Sequence, residues 1–117
     1  MILAVVDDLM FTSKIRAAAA QLGVALTFAR SSEAALTEMR TRAPSLVIFD
    51  LNNPRTDPIG TVAAMKKDVA LASIPTVGFV SHVDSAVIAA ARDAGVGEVM
   101  ARSAFTERLG QILSEYG

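Results

Sequence analysis

Apolar segments of strand length alternate with helix-length segments five times along this 117-residue chain. The apolar segments lie at residues 2–6, 25–29, 46–49, 76–80 and 98–101. Such alternation is typical of βαβ units, in which each helix crosses over to a parallel strand. The pattern therefore predicts an α/β protein with a parallel five-stranded sheet and helices on both of its faces.

The character of each segment predicts where its strand lies in the sheet. Four segments are apolar with little alternation, which is expected of strands covered on both faces, whereas segment 25–29 alternates better and is the predicted edge. Right-handed crossovers fit a flavodoxin-like doubly wound (βα)5 fold, a three-layer sandwich with strand order 2-1-3-4-5. Strands 1 and 3 are then neighbours at the switch point, where ligands bind beyond the carboxyl ends of the strands.

Capping residues predict the ends of the helices. The predicted N-caps are Ser31 or Ser32, Asp57 followed by Pro58, Asp84, and Ser103. Gly23 and Gly95 are predicted to end the first and fourth helices in the left-handed conformation.

Composition limits the classes of function. The length predicts one domain over residues 1–117, and we expect it to be globular because 52% of the residues are hydrophobic and 20% are charged. Cysteine is absent, which excludes disulfides, thiol catalysis and Cys-based zinc sites. The net charge of −1 argues against direct nucleic-acid binding. The initial apolar run is too short for a signal peptide or a membrane span, so we expect a cytoplasmic protein.

Three carboxylates stand at the ends of strands 1 and 3. Asp7 and Asp8 follow strand 1, and Asp50 follows strand 3, so all three should meet at one edge of the sheet. Mg²⁺ relieves repulsion in such a group and accepts phosphate oxygens as further ligands, and a carboxylate there can act as a nucleophile toward a phosphoryl group. The alternative is that these residues only cap a helix and begin a loop.

Three stretches of this sequence resemble the receiver domains of two-component response regulators. They are residues 5–8 (Val-Val-Asp-Asp), 46–54 (Leu-Val-Ile-Phe-Asp-Leu-Asn-Asn-Pro) and 74–77 (Ile-Pro-Thr-Val). The resemblance covers essentially the whole chain. It implies that Asp50 is the phosphoacceptor, Asp8 a direct Mg²⁺ ligand, Asp7 a ligand through water, and Asn52 a ligand through its backbone carbonyl.

The resemblance also implies the partners. The phosphoryl donor would be a phosphohistidine on a sensor histidine kinase or a phosphotransfer protein. By analogy, the fourth helix, fifth strand and fifth helix would form the face that contacts a downstream partner protein.

Four positions concern the residues that read out phosphorylation in the family. Val80 stands where the family has a Ser or Thr, and Ser81 would replace it only if the strand end twists or bulges. Arg102 replaces a Lys; it would clamp phosphorylated Asp50 or pair with the unmodified carboxylate, unless it is a surface residue near a helix start. Val99 stands where the family has an aromatic residue whose ring moves between buried and exposed positions, here called the switch aromatic.

Two functions remain open at this stage. One is a phosphorylatable receiver; the other is a pseudo-receiver, an interaction module that does not signal by phosphorylation and in which Arg102 pairs with Asp50. His82 is either a solvated loop residue or a contact for the phosphoryl group or for Asp50. The chain lacks a Gly-rich phosphate loop and a plausible Ser/His/Asp constellation, so we do not expect a conventional enzyme.

Overall fold

The computed structural model describes residues 1–81 and 84–117. Its strands are β1 (Ile2–Val5), β2 (Leu26–Ala29), β3 (Leu46–Asp50), β4 (Thr76–Val80) and β5 (Glu98–Ala101). Its helices are α1 (Leu9–Leu22), α2 (Ser32–Thr41), α3 (Pro58–Lys67), α4 (Ser85–Ala94) and α5 (Arg102–Tyr116), with a 3₁₀ turn at Pro54–Thr56. Among the residues described, no helix has both the length and the apolar character of a membrane span.

The five strands form one parallel sheet in the order β2-β1-β3-β4-β5. The α/β fold with the flavodoxin-like strand order 2-1-3-4-5 is therefore confirmed, and β2 lies at an edge as predicted. Every residue of β1, β3 and β4 is buried. The prediction was wrong for β5, whose Glu98 and Ala101 are exposed, because the strand order makes β5 the second edge.

Alternate residues of the central strands enter two separate apolar layers. Ile2 and Ala4 pack with α1 and α5 on one face of the sheet. Leu3 and Val5 pack with α2, α3 and α4 on the other face. The uniformly apolar sequence of the strands is thus explained by helices on both sides, since side chains point alternately to opposite faces.

Most of the predicted caps are confirmed. Ser31 accepts the backbone N–H of Ala34 to begin α2, Asp84 caps α4, and Asp57 caps α3 ahead of Pro58. Gly23 and Gly95 have φ angles of 69° and 111°, so both end their helices in the left-handed conformation.

The predicted cap at Ser103 was wrong. Helix α5 begins one residue earlier, at Arg102, and its N-cap Ala101 makes no side-chain hydrogen bond. The chain passes from β5 into α5 without a loop, so Ser103 lies inside the first turn. Small differences also occur at other ends: β1 stops at Val5, β2 starts at Leu26, and β3 extends to Asp50.

Gly78 allows β4 to pack closely against the segment that follows β3. A Cβ atom at Gly78 would lie 2.6 Å from Cδ1 and 2.9 Å from Cγ of Leu51. Leu51 is buried and directly follows Asp50, so the space at Gly78 helps to fix the chain beside that carboxylate.

Replacing Gly78 by alanine should therefore lower the free energy of unfolding by about 1–3 kcal/mol, the usual cost of overpacking a core. Urea denaturation followed by circular dichroism measures this change. Gly110→Ala is the matched control in α5, where an added Cβ meets nothing within 4 Å. Alanine favours a helix by up to about 1 kcal/mol over glycine, so this variant should be more stable. Equal effects of the two substitutions would contradict the packing argument.

Candidate phosphoacceptor site

The register of the sheet brings the predicted site residues to one edge. Val5 pairs with Phe49 across β1 and β3, and Asp50 pairs with Phe79 across β3 and β4. The carboxyl ends of β1, β3, β4 and β5 consequently surround an open pocket. Its lining residues are Asp7, Asp8, Asp50, Asn52, Asn53, Pro54, Arg55, Ser81 and Arg102.

Asp50 is the most enclosed carboxylate of the pocket, with an exposed fraction of 8%. Its Oδ1 accepts the backbone N–H of Asn52 at 3.1 Å. Burial raises the pKa of Asp50, and the charge of Asp8 adds to that rise, while the Asn52 N–H and the Arg102 charge oppose it. Among the described residues, no hydrogen bond to the second oxygen, Oδ2, is found.

Asp8 has two separate roles, one for each oxygen. Oδ1 accepts the backbone N–H groups of Met10 (2.9 Å) and Phe11 (3.1 Å), which makes Asp8 the N-cap of α1. Oδ2 accepts a hydrogen bond from Arg102 Nη2 at 3.3 Å. These interactions, first the Phe11 N–H, hold the pKa of Asp8 below its usual value. Asp8 thus caps a helix, as the alternative interpretation predicted, but only Oδ1 is used for the cap, and Oδ2 faces Arg102.

Asp7 forms an ion pair with Arg55. The Asp7 Oδ2 atom lies 2.9 Å from Arg55 Nη1. The Asp7 side chain is largely enclosed, with 15% exposed, whereas 79% of the Arg55 side chain is exposed. An exposed guanidinium therefore covers one of the three carboxylates.

Arg102 connects the pocket to an aromatic cluster beneath it. Its guanidinium contacts Asp8 and lies 3.4 Å from Ser81 Oγ and 4.1 Å from the centroid of the Phe11 ring. Phe11 packs on Phe79 at 4.8 Å, and Phe79 stacks on Phe105 at 4.9 Å. The cluster is formed by these three rings. The expected pairing of Arg102 with Asp50 is not present, because the accessible oxygen of Asp8 accepts the guanidinium instead.

Three solved structures relate this chain to known proteins. The solution structure of a response regulator protein from Burkholderia multivorans is 30% identical, with a TM-score of 0.76 and coverage of 97% of this chain and 91% of that chain. The chain belongs to the receiver domains of two-component response regulators. Such a receiver domain implies a histidine kinase as partner.

The two other structures have the same fold as this receiver domain. The phosphorylated cyanobacterial phytochrome response regulator RcpA is 26% identical, with a TM-score of 0.80 and coverage of 97% of this chain and 88% of that chain. A response regulator in its Mn²⁺-bound form is 20% identical, with a TM-score of 0.80 and coverage of 97% and 91%. No family model matches the sequence, and no curated protein matches it.

The end of β4 in this receiver domain presents Ser81 rather than Val80 to the pocket. Val80 is 4% exposed and packs in the layer formed with α2, α3 and α4. The Ser81 hydroxyl contacts Arg102, and its N–H donates to Asn52 Oδ1 at 2.5 Å. Val99 packs against the same apolar layer as Val80 and does not line the pocket. A hydroxyl is thus present at the pocket one residue after the position counted from the sequence.

The oxygen atoms of the pocket are of the type that binds a hard divalent ion, although the side chains that carry them do not point toward one common position. In the described ranges, no three His, Asp or Glu side chains converge on a common point. The reason is that Asp7 faces Arg55 and Asp8 caps α1 and contacts Arg102. Carboxylates and backbone carbonyls remain the ligand types that Mg²⁺ prefers, so the residues fit this ion if Asp7 exchanges its guanidinium partner for the ion.

Two participants in the site were not predicted from the sequence. Arg55 is one; it lies five residues after Asp50, and no local pattern indicates that it reaches Asp7. Phe11 is the other; its place at the second position after Leu9 predicts only a core residue. His82 lies outside the described residues.

The opposite pKa directions of Asp50 and Asp8 predict opposite effects on stability. Because the pKa of Asp50 is raised in the folded protein, ionisation of Asp50 opposes folding, and the penalty is complete above the folded-state pKa. Asp50→Asn should raise the free energy of unfolding at pH 7. The gain should vanish as the pH falls below the ordinary aspartate pKa of 3.8.

The control for this prediction is Asp8→Ala. The lowered pKa of Asp8 means that its ionised form stabilises the fold above its unfolded-state pKa, and that this contribution is lost as the pH falls through the folded-state pKa. Loss of the N-cap should cost about 1 kcal/mol at pH 7. Chemical denaturation at pH 7 and pH 3 measures both variants. Destabilisation by Asp50→Asn at pH 7 would refute the assignment of a buried charge.

Proposed function

We propose that this receiver domain accepts a phosphoryl group on Asp50 and passes the signal to a partner protein. The observation that carries the proposal is the position of Asp50 at the end of β3, in a pocket shared with two further carboxylates, with Oδ2 unpaired among the described residues. In the proposed reaction Oδ2 attacks the phosphorus atom of a phosphohistidine. The P–O bond forms as the P–N bond breaks, and the histidine nitrogen leaves.

A divalent cation has a defined place in this proposal. Asp7, Asp8, Asp50 and the backbone carbonyl of Asn52 would hold Mg²⁺, which would neutralise charge on the phosphoryl oxygens. A Mn²⁺-bound response regulator of the same fold supports the assignment. The Ser81 hydroxyl and the Arg102 guanidinium are hydrogen-bond donors in the pocket lining that would contact the phosphoryl oxygens.

Arg102 is the element that we expect to report the modification. In the unmodified protein it contacts Asp8, Ser81 and the Phe11 ring together. A phosphoryl group on Asp50 adds a stronger anion to the pocket and would compete with Asp8 for the guanidinium. Displacement of Arg102 would change its contact with Phe11, which packs on the rest of the aromatic cluster. This route would replace the usual switch of the family, whose hydroxyl residue and aromatic residue are replaced in this chain by Val80 and Val99.

The proposal extends to donor, output and location. A sensor histidine kinase or phosphotransfer protein supplies the phosphoryl group in the cytoplasm, and residues 1–117 act as one domain that catalyses only its own modification. The face formed by α4, β5 and α5 is the proposed contact for the output partner; the exposed β5 residues Glu98 and Ala101 lie on it.

A second candidate function is a pseudo-receiver that binds partners without phosphorylation. Two ion pairs favour it, because Arg55 covers Asp7 and Arg102 contacts Asp8. In this candidate the arginines replace the cation permanently, and the valines at positions 80 and 99 reflect the absence of the usual switch.

Modification by a small phosphoryl donor distinguishes the two candidates. With acetyl phosphate and Mg²⁺, we expect mass spectrometry to find one phosphoryl group per chain, located at Asp50. Beryllofluoride with Mg²⁺ should shift backbone amide NMR signals from Asp50 toward α4 and β5. Asp50→Asn should abolish both results, while Asp68→Asn, at a carboxylate outside the pocket, should leave them unchanged. If the wild-type protein shows neither the phosphoryl group nor the amide shifts at saturating Mg²⁺, the pseudo-receiver is the remaining function.

The proposed role of Arg102 has its own test. Arg102→Lys keeps the charge but removes the planar group that stacks on Phe11. We expect Asp50 to be modified still, whereas the accompanying shifts of the ring signals of Phe11, Phe79 and Phe105 should shrink in aromatic NMR spectra.

The matched control is Arg16→Lys, because Arg16 stacks on Phe28 at 5.0 Å from the ring centroid and does not line the pocket. It should leave the wild-type response intact. Undiminished ring shifts in Arg102→Lys would show that another element reports the modification.

A further inference from the structure

Arg55 lines the pocket but has no part in the phosphoryl transfer proposed above. It is held near Asp7 by local structure as well as by charge. Its backbone N–H donates to Asn53 Oδ1 at 3.0 Å, and Asn53 is the N-cap of the 3₁₀ turn at Pro54–Thr56. Thr56 is fully buried and its Oγ1 donates to the Asn53 carbonyl at 3.2 Å, which anchors the end of the turn. The turn therefore presents the guanidinium at the rim of the pocket.

The charges of the pocket bring the Arg55 guanidinium into conflict with a bound cation. Three carboxylates face two guanidiniums, which leaves one net negative charge. Asp7 Oδ2 accepts a hydrogen bond from Arg55 Nη1 at 2.9 Å, and a cation bound by Asp7 would have to share that oxygen or displace the arginine. A guanidinium and a divalent ion repel each other at such a distance, so simultaneous occupation is unfavourable.

We propose that Arg55 is an internal competitor for the divalent cation, so that pairing of Arg55 with Asp7 and binding of the ion exclude each other. This inference rests on the proposed function, since it concerns the regulation of the same site. Arg55 would set the cation concentration at which the pocket becomes competent. Because the Arg55 side chain is largely exposed, solvent can take up the displaced guanidinium at little cost, and the competition is reversible.

Removal of Arg55 should strengthen cation binding to a measurable extent. Exposed ion pairs change an equilibrium constant by up to about fivefold, and the lost repulsion between the guanidinium and the ion acts in the same direction. We therefore expect Arg55→Ala to bind Mg²⁺ about two- to tenfold more tightly than the wild-type protein. The difference should shrink as NaCl is added, because salt screens exposed charges.

An NMR titration with MgCl₂ tests the inference without any phosphoryl donor. The amide shifts of Asp8, Asp50 and Asn52 report occupation of the pocket, and Kd is fitted for each protein. Arg55→Lys keeps the charge and should bind Mg²⁺ nearly as the wild type does.

Arg40→Ala is the matched control. It breaks an exposed Arg–Asp pair of similar kind, with Arg40 Nε 3.4 Å from Asp68 Oδ2, away from the pocket. Its Kd should equal that of the wild type. Unchanged amide spectra outside the pocket will show that each variant is folded.

Three other outcomes have distinct meanings. Equal affinity of Arg55→Ala and the wild type would overturn the inference and leave the proposed cation site intact. Binding by Arg55→Ala alone would support the competition in full, while contradicting a cation-assisted reaction in the wild-type protein. Absence of binding by both would overturn the inference together with the cation site of the proposed function.

Discussion

Parallel pairing of β1 with β3 is the interaction on which the site depends. Four residues of each strand pair in register from Ile2 with Leu46 to Val5 with Phe49, and all are buried. Burial of a large aliphatic or aromatic side chain contributes about 1.5–3 kcal/mol, so this pairing is favourable over its whole length. It also forces the strand ends together, and with them three carboxylates that repel one another. The apolar layers thus supply the free energy that holds an unfavourable charge cluster in place.

The three carboxylates are accommodated in three different ways. Asp50 is buried, and the unfavourable desolvation appears as a raised pKa. Asp8 is satisfied by backbone N–H groups at the start of α1, which lowers its pKa and ties it to the fold. Asp7 is neutralised by an exposed arginine. Asp50 combines a raised pKa with an oxygen, Oδ2, that is unpaired among the described residues, and this combination is expected of a nucleophile.

The sequence predicted what depends on local patterns. Apolar runs and capping residues give the strands, their order and most helix ends, and the strand ends locate Asp7, Asp8 and Asp50. The ion-pair partners of long side chains such as arginine could not be predicted from local patterns. Arg55 reaches back 48 positions to Asp7, and Arg102 reaches 94 positions to Asp8 rather than to Asp50. These choices depend on which carboxylate oxygen remains accessible, a property that exists only after the loops have taken their conformations.

The ion pairs of Arg55 with Asp7 and of Arg102 with Asp8 are only weak evidence for the pseudo-receiver, although both lie in the pocket. Arg55 and Arg102 are 79% and 34% exposed at the side chain, and exposed pairs contribute at most about 1 kcal/mol each. A divalent ion carries twice the charge of the Arg55 guanidinium that it would displace from Asp7, and a phosphoryl group on Asp50 offers Arg102 a stronger anion than Asp8 does. The ion pairs of both arginines are therefore weak compared with the interactions that would replace them. Such pairs are compatible with a site that exchanges partners, and this favours the phosphorylatable receiver over a permanently closed one.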